Sequence, residues 1–271
     1  MNILHNIAEK ILFLDKFIYK TLKTPSIGLV KLNGIYYLDI PKSGSSTIKH
    51  YIAEKSKRYI FSRKYLNFNP VHTCVKLEEK KNLETKIDAI YGFIRDPVER
   101  IYSVYKQKVL NKGEFPIGYR LIKQKNLGKL STLDSLSNYT DSFSEFYNKI
   151  GNLCLDSTKY GYDISKILDK HILPQTEIIK TIIKNYNLNN RTNLVLFSLS
   201  KMNSVLNKND NNFVLNSTNK SNFYQDFDQD FKNKTNKIYK NDENIFREIS
   251  TNKNLNLNIS IKEFNKKFAN L

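Results

Sequence analysis

The chain has 271 residues, long enough to bury a core of its own, and no Pro- or Gly-rich linker divides it, so residues 1–271 read as a single domain. Two cysteines, Cys74 and Cys154, and four scattered histidines exclude a disulfide framework and a structural zinc site, and fit a reduced compartment. The 44 Lys and Arg against 26 Asp and Glu give a formal charge of +18, which points to an anionic ligand, an anionic polymer or an acidic surface without choosing among them.

Residues 1–24 open the chain with a periodic stretch in which Ile7, Ile11, Leu14 and Ile18 share one helical face. Glu9, Lys10, Asp15 and Lys16 interrupt it, so it is neither a signal segment nor a spanning helix. An amphipathic helix packed on the core is expected, with a membrane-surface helix as the alternative. Residues 27–32 and 35–40 are β-prone and are split by Asn33-Gly34, which predicts a hairpin. The second strand breaks at Pro41 into Lys42-Ser43-Gly44-Ser45-Ser46-Thr47, and helical spacing resumes over 47–57. A strand, a turn of this composition and a helix start gather backbone N–H groups, hydroxyls and the positive helix end around one point, where a phosphate or sulfate fits. The alternative is a plain strand-to-helix turn. It is not a Walker loop, because Lys42 precedes Gly44, the only glycine of the turn.

A second strand-to-helix passage follows. Residues 89–94 form a short apolar strand, and Asp96-Pro97 supplies an N-cap and a proline at the first position of a helix over 98–110. Arg95 stands at the strand's carboxyl end and Ser103 lies further along the helix, where the two can grip one phosphate from two sides. The alternative pairs Arg95 with Asp96 or Glu99 and leaves Ser103 solvated. Beyond this the pattern predicts helices over 143–150 and 231–249, a buried parallel strand over 194–199 and a short helix over 202–206. Residues 185–193 and 207–212 read as polar loops, and there is no internal repeat. This order indicates an α/β protein with a parallel sheet flanked by helices. Ligands of such sheets bind at the carboxyl ends of the strands, where Lys42 and Arg95 both fall.

Together these stretches resemble the sulfotransferases that use 3′-phosphoadenosine 5′-phosphosulfate. P-K-S-G-S-S-T at 41–47 is similar to that family's 5′-phosphosulfate loop, and R-D-P-x-E-R-x-x-S at 95–103 to its 3′-phosphate motif. The carbohydrate branch, sulfotransferase family 2, is the nearer likeness. His171-x-x-Pro174-Gln175 is similar to its H-x-x-P-Q segment, and Val214-Leu215-Asn216-Ser217 with Tyr239-x-x-Asp242-x-x-x-Phe246 to its late elements. The pieces occur in the family's order from about residue 35 to residue 250; residues 111–138 and a C-terminal extension over 251–271 carry no match.

The resemblance implies a P-loop-NTPase-like sheet and a transfer of a sulfuryl group from the phosphosulfate donor to a carbohydrate hydroxyl, leaving adenosine 3′,5′-bisphosphate, with no metal. Lys42, Ser43, Gly44, Ser45, Ser46, Thr47, Arg95 and Ser103 would hold the donor. Lys42 would also stabilise charge on the departing phosphate, a role typically worth about 3 to 4 kcal/mol. His72, between the two phosphate motifs, is the first candidate for general base, as in the uronyl 2-O-sulfotransferases, which carry their catalytic His at a similar offset; Glu54 is the runner-up. The other reading of His72 is a loop residue beside Pro70 that caps a backbone carbonyl. His171 and Gln175 would wall the acceptor cleft, Gln175 bonding a sugar or a backbone group; a structural turn is the alternative. Asn216 and Ser217 would order a loop near the donor, whereas Tyr239, Asp242 and Phe246, at helical spacing, are expected in the core. Animal members of the branch carry a leading membrane anchor; a cytoplasmic enzyme without a transmembrane segment is expected here, acting on a saccharide for which an anionic one would suit the charge. Two rivals stand outside the family: a phosphotransferase or nucleotide kinase, against which the glycine and lysine order argues, and a non-catalytic polyanion-binding module, for which no nucleic-acid signature speaks.

Overall fold

The structure is a computed structural model and describes residues 27–56, 75, 77–84, 86–106, 143–144, 146–148, 150–151, 164, 168, 170–206 and 238–268. The N-terminal helix expected over 1–24, and His72, Asn216 and Ser217, lie outside the described residues.

Five strands form one sheet in the order β1 (Leu29–Leu32), β2 (Ile35–Leu38), β3 (Ala89–Ile94), β4 (Asn193–Ser198) and β5 (Asn256–Ser260). β1 and β2 make the expected hairpin, with Leu32 opposite Ile35 across Asn33-Gly34. Both turn residues have positive φ, 50° and 81°, as a two-residue turn matched to strand twist requires. β2, β3 and β4 run parallel, with Tyr36 beside Ile90 and Gly92 beside Leu196. The expectation of a parallel sheet therefore holds at the centre; β1 is antiparallel to β2, as the expected hairpin requires, and β5, antiparallel to β4, adds an edge that was not foreseen. β5 comes from the segment read as an extension. Its Leu257 and Ile259 alternate with Asn256 and Asn258 and pack against the core, the period of a half-covered strand.

The described helices are α1 (Ser45–Lys55), α2 (Pro97–Val104), α3 (Gln175–Tyr186), the single turn α4 (Met202–Val205), α5 (Lys240–Thr251) and α6 (Ile261–Phe268). α3 was not anticipated beyond the turn at its start. Pro174 precedes it, Ile178, Ile179, Ile182 and Tyr186 form its buried stripe, and Asn187, in the left-handed region at φ 52°, ends it. Residues 143–144, 146–148, 150 and 151 are helical, as the spacing predicts for 143–150. Strand alternation divides the core between the two faces of the sheet. Leu29, Tyr36, Leu38, Ile90, Ile94, Leu194 and Leu196 meet α2, α3, α5 and α6 on one face, while Val30, Tyr37 and Phe93 meet Ile48 and Ile52 of α1, with Met202 and Leu206, on the other. Gly92 sits where a Cβ would lie 2.7 Å from the Leu38 Cδ1, so glycine there lets β2 and β4 side chains close over β3. Among the described residues no helix is long and apolar enough to cross a membrane.

Candidate functional site

Two turns at the carboxyl ends of adjacent parallel strands make the site. After β2 the chain runs through Asp39 and Ile40 into the turn Pro41 to Gly44 and enters α1 at Ser45. Gly44 is the N-cap, at φ 88° and ψ 4°, and it makes no side-chain cap. A Cβ there would lie 2.7 Å from Met202 Sδ and 3.0 Å from Leu199 Cδ1. Glycine is thus required both by the backbone and by the approach of the segment after β4. Lys42 is also left-handed, at φ 66°, which costs on the order of 1–2 kcal/mol for a residue with a Cβ. The N–H groups of Ser45, Ser46 and Thr47 open the helix, where helix geometry supplies no i−4 acceptor within the helix, and the Ile48 N–H donates to the Gly44 carbonyl at 2.9 Å.

Burial sorts the six residues of this turn named as donor ligands. Lys42, Gly44 and Ser46 are partly exposed, whereas Ser43, Ser45 and Thr47 are buried. The Ser43 N–H donates to the Ile40 carbonyl at 3.2 Å and its hydroxyl to Gln175 Oε1 at 2.6 Å. The Ser45 hydroxyl donates to the Asp39 carboxylate, whose other oxygen accepts from Lys49 Nζ at 2.7 Å. The expected hydroxyl donors at Ser43 and Ser45 are therefore committed inside the fold. Lys42 and Ser46 stand on the partly exposed side of the turn, next to the start of α1. Asp39 is buried, which acts to raise its pKa; the Lys49 ammonium and the bonds from Lys49 and Ser45 outweigh this and hold the carboxyl below its usual value. Sequence reading missed this pair. Its signal is an acid at the end of an apolar strand and a lysine beside Ile48 on the buried face of the following helix.

The second turn follows β3. The Asp96 carboxylate caps α2 by accepting the Glu99 N–H at 2.9 Å, with Pro97 at the first helical position, as the sequence predicts. The Arg95 side chain is 12% exposed, and its Nε lies 3.5 Å from Glu99 Oε2, the pairing given as the alternative reading. Ser103 is buried on α2, which excludes the solvated alternative. Arg100, unassigned from sequence, is 0% exposed. Its Nε donates to the Pro41 carbonyl at 3.0 Å and its Nη2 to the Lys170 carbonyl at 3.1 Å, so the second motif reaches into the first.

Gln175 joins the two turns outright. It is 1% exposed. Its Oε1 accepts from Ser43 Oγ and, at 3.1 Å, from the Arg95 N–H, while its Nε2 donates to the Arg95 carbonyl at 2.8 Å. Expected at an acceptor wall, bonding a sugar or a backbone group, Gln175 takes the backbone of Arg95 and the hydroxyl of Ser43; its amide faces the interior. Asp242 holds it in place from α5, accepting the Gln175 N–H at 2.7 Å, the Thr176 N–H at 2.9 Å and the Thr176 hydroxyl at 2.8 Å. Burial pushes the Asp242 carboxyl up, with the Thr176 and Gln175 bonds and the Arg100 charge working against it. Tyr239 donates to the Ile172 carbonyl at 2.7 Å, and Phe246 packs on the core, so the late motif has the packing role read for it. His171 is half-buried in the turn before α3, and Glu54 is exposed on α1. Among the described residues no cluster of His, Cys, Asp and Glu is placed to hold a metal ion.

A central parallel sheet with a glycine turn feeding a helix after one strand, and an arginine-led turn after the next, defines an α/β protein of the phosphate-loop type. The model of the sulfotransferase family matches residues 30–247, from β1 into α5, and the chain belongs to that family. It is a sulfotransferase, an enzyme of sulfuryl transfer. No curated protein and no solved structure matches the chain.

Proposed function

We propose that this sulfotransferase moves a sulfuryl group from 3′-phosphoadenosine 5′-phosphosulfate to a hydroxyl of a carbohydrate acceptor. The observation that carries the reading is the Gln175 amide, which bonds Ser43 of one motif and Arg95 of the other and so brings both to one end of the sheet. A ligand with an anionic group at each end of an adenosine suits that pairing. The helix N–H groups of Ser45 to Thr47, with Ser46 and Lys42, would receive the 5′-phosphosulfate, and Arg95 with Ser103 the 3′-phosphate.

In the reaction the bond from sulfur to the 5′-phosphate oxygen breaks as a bond from sulfur to the acceptor oxygen forms in line. The acceptor proton passes to a base, for which His72 is the assigned residue, and adenosine 3′,5′-bisphosphate leaves. Lys42 offsets the charge that grows on the departing oxygen, while positioning and fixed dipoles do the rest. His171, ahead of α3, is assigned to the acceptor side, and the net charge of +18 favours an anionic saccharide. Incubation with radiolabelled donor and a panel of neutral and acidic glycans should yield labelled glycan. No product, with no binding of adenosine 3′,5′-bisphosphate, would sink the reading; product on a small phenol or an amine alone would remove the carbohydrate half.

A further inference from the structure

We propose that Gln175 is a positioning residue that sets the spacing of the two phosphate-binding motifs, so that both ends of one donor are gripped at once; the inference rests on the donor proposed above. Three hydrogen bonds from one planar amide fix three points: the Ser43 hydroxyl, the Arg95 N–H and the Arg95 carbonyl. The two partners lie in different motifs, which Arg100 also links through the Pro41 carbonyl, and they follow strands that are neighbours in the sheet. Only a carboxamide meets all three, because it accepts through oxygen and donates through nitrogen; a carboxylate would set an anion against the Arg95 carbonyl. Buried in a low dielectric, these bonds define a distance more sharply than exposed ones.

The amide is itself anchored. Asp242 accepts the first N–H groups of α3 together with the Thr176 hydroxyl, so the helix that delivers Gln175 is fixed at its start from α5. Tyr239 bonds the Ile172 carbonyl and Arg100 the Lys170 carbonyl just ahead of it. The short segment before α3 is therefore held at several points, and it leads directly into Gln175, whose amide bonds both motifs. Two grips at a fixed separation convert the second contact into an intramolecular event; the same two grips at a fluctuating separation do not.

The test is the preference for two phosphates over one. Adenosine 3′,5′-bisphosphate and adenosine 5′-phosphate are titrated calorimetrically into the full chain, as wild type, Ser43→Ala, Gln175→Ala and Gln175→Glu, with thermal unfolding followed in parallel. The wild type should favour the bisphosphate, and Gln175→Ala should cut that preference about tenfold or more through the loss of its buried bonds. Ser43→Ala severs only the arm to the first turn and leaves the Gln175 to Arg95 bonds made; it should lower the preference about fivefold with little change in unfolding temperature. It also carries the test if Gln175→Ala does not fold. A purely structural role would weaken both nucleotides equally or only lower the unfolding temperature, and an unchanged preference in Ser43→Ala overturns the proposal. If the wild type binds neither nucleotide, the donor assignment fails and takes this inference with it; if the wild type shows the preference and the variants retain it, this inference alone fails.

Discussion

Gly44→Ala isolates the geometry of the first turn. The φ of 88° places an alanine in the left-handed region, at about 1–2 kcal/mol. Its methyl would lie 2.7 Å from Met202 Sδ and 3.0 Å from Leu199 Cδ1, closer than side-chain carbons approach either atom. Met202 is buried but flexible, so most of this clash is relieved by rotation, and about 1 kcal/mol remains from displaced packing. The expected loss is about 2–3 kcal/mol, read from urea unfolding monitored by far-ultraviolet circular dichroism. Adding Met202→Ala to Gly44→Ala should return only the packing share relative to Met202→Ala alone, which separates the backbone cost from the contact cost in a double-mutant cycle. Donor binding should fall as well, because the carbonyl and N–H groups around residue 44 turn with the backbone. A loss within about 0.5 kcal/mol, the size of an ordinary surface change, would refute the assigned turn.

Lys42→Ala should lower kcat about 10² to 10³-fold, with a smaller change in the donor KM, because its charge is needed most as the phosphate departs. Arg95→Ala should instead raise the donor KM about 10- to 100-fold and Ser103→Ala a few-fold, with kcat nearly kept, since each would bind the 3′-phosphate alike in ground and transition states. Steady-state kinetics with the donor varied distinguishes them, and equal small effects at all three positions would contradict the division of roles. Asp39→Asn should cost about 3–5 kcal/mol at neutral pH by leaving Lys49 buried without its counter-ion. The native Asp39 pKa lies below its ordinary 3.8, so the carboxylate's stabilisation is complete above that value and is lost as pH falls through the lower folded one. Urea unfolding from pH 7 down to pH 2 should therefore show the wild type and Asp39→Asn converging only below about pH 3.8. Asp242 has the opposite sign: its raised pKa means stability declines as pH rises from 3.8 through the folded value, and Asp242→Asn should remove that decline in the same titration.

Much of the frame was legible because local signals and tertiary demands agree. Asn33-Gly34 specifies a tight hairpin whatever surrounds it, and Asp96-Pro97 specifies a helix start. The apolar run at 194–199 matches β4, which is covered by residues of both cores. The edge strand β5 was less legible, since its half-covered face alternates only Leu257 and Ile259 with asparagines and no glycine marks its ends. α3 was less legible because Pro174 reads as a turn and the isoleucine stripe that marks the helix begins only at Ile178. The motif residues were recognised, but their orientation was not: a consecutive run of hydroxyls cannot reveal which ones turn inward. That depends on partners distant in sequence, Gln175 for Ser43 and the buried Asp39 for Ser45.

Four buried ionisable side chains stand directly behind the two turns: Asp39 paired with Lys49, Arg100 on the Pro41 and Lys170 carbonyls, and Asp242 on the start of α3. Each loses hydration on burial, and well-packed apolar residues commonly serve stability as well or better. What an apolar residue cannot do is accept two N–H groups and a hydroxyl at once, or hold a carbonyl of one loop from the helix of another. The directional bonds of these groups fix Pro41, Ser43, Ser45, Arg95 and Gln175 relative to one another, the atoms whose separation decides whether one ligand can span both turns. Hence the late Tyr239 and Asp242 belong with the early lysine and arginine turns: without the carboxylate on α5, the amide that joins those turns would lack a fixed base.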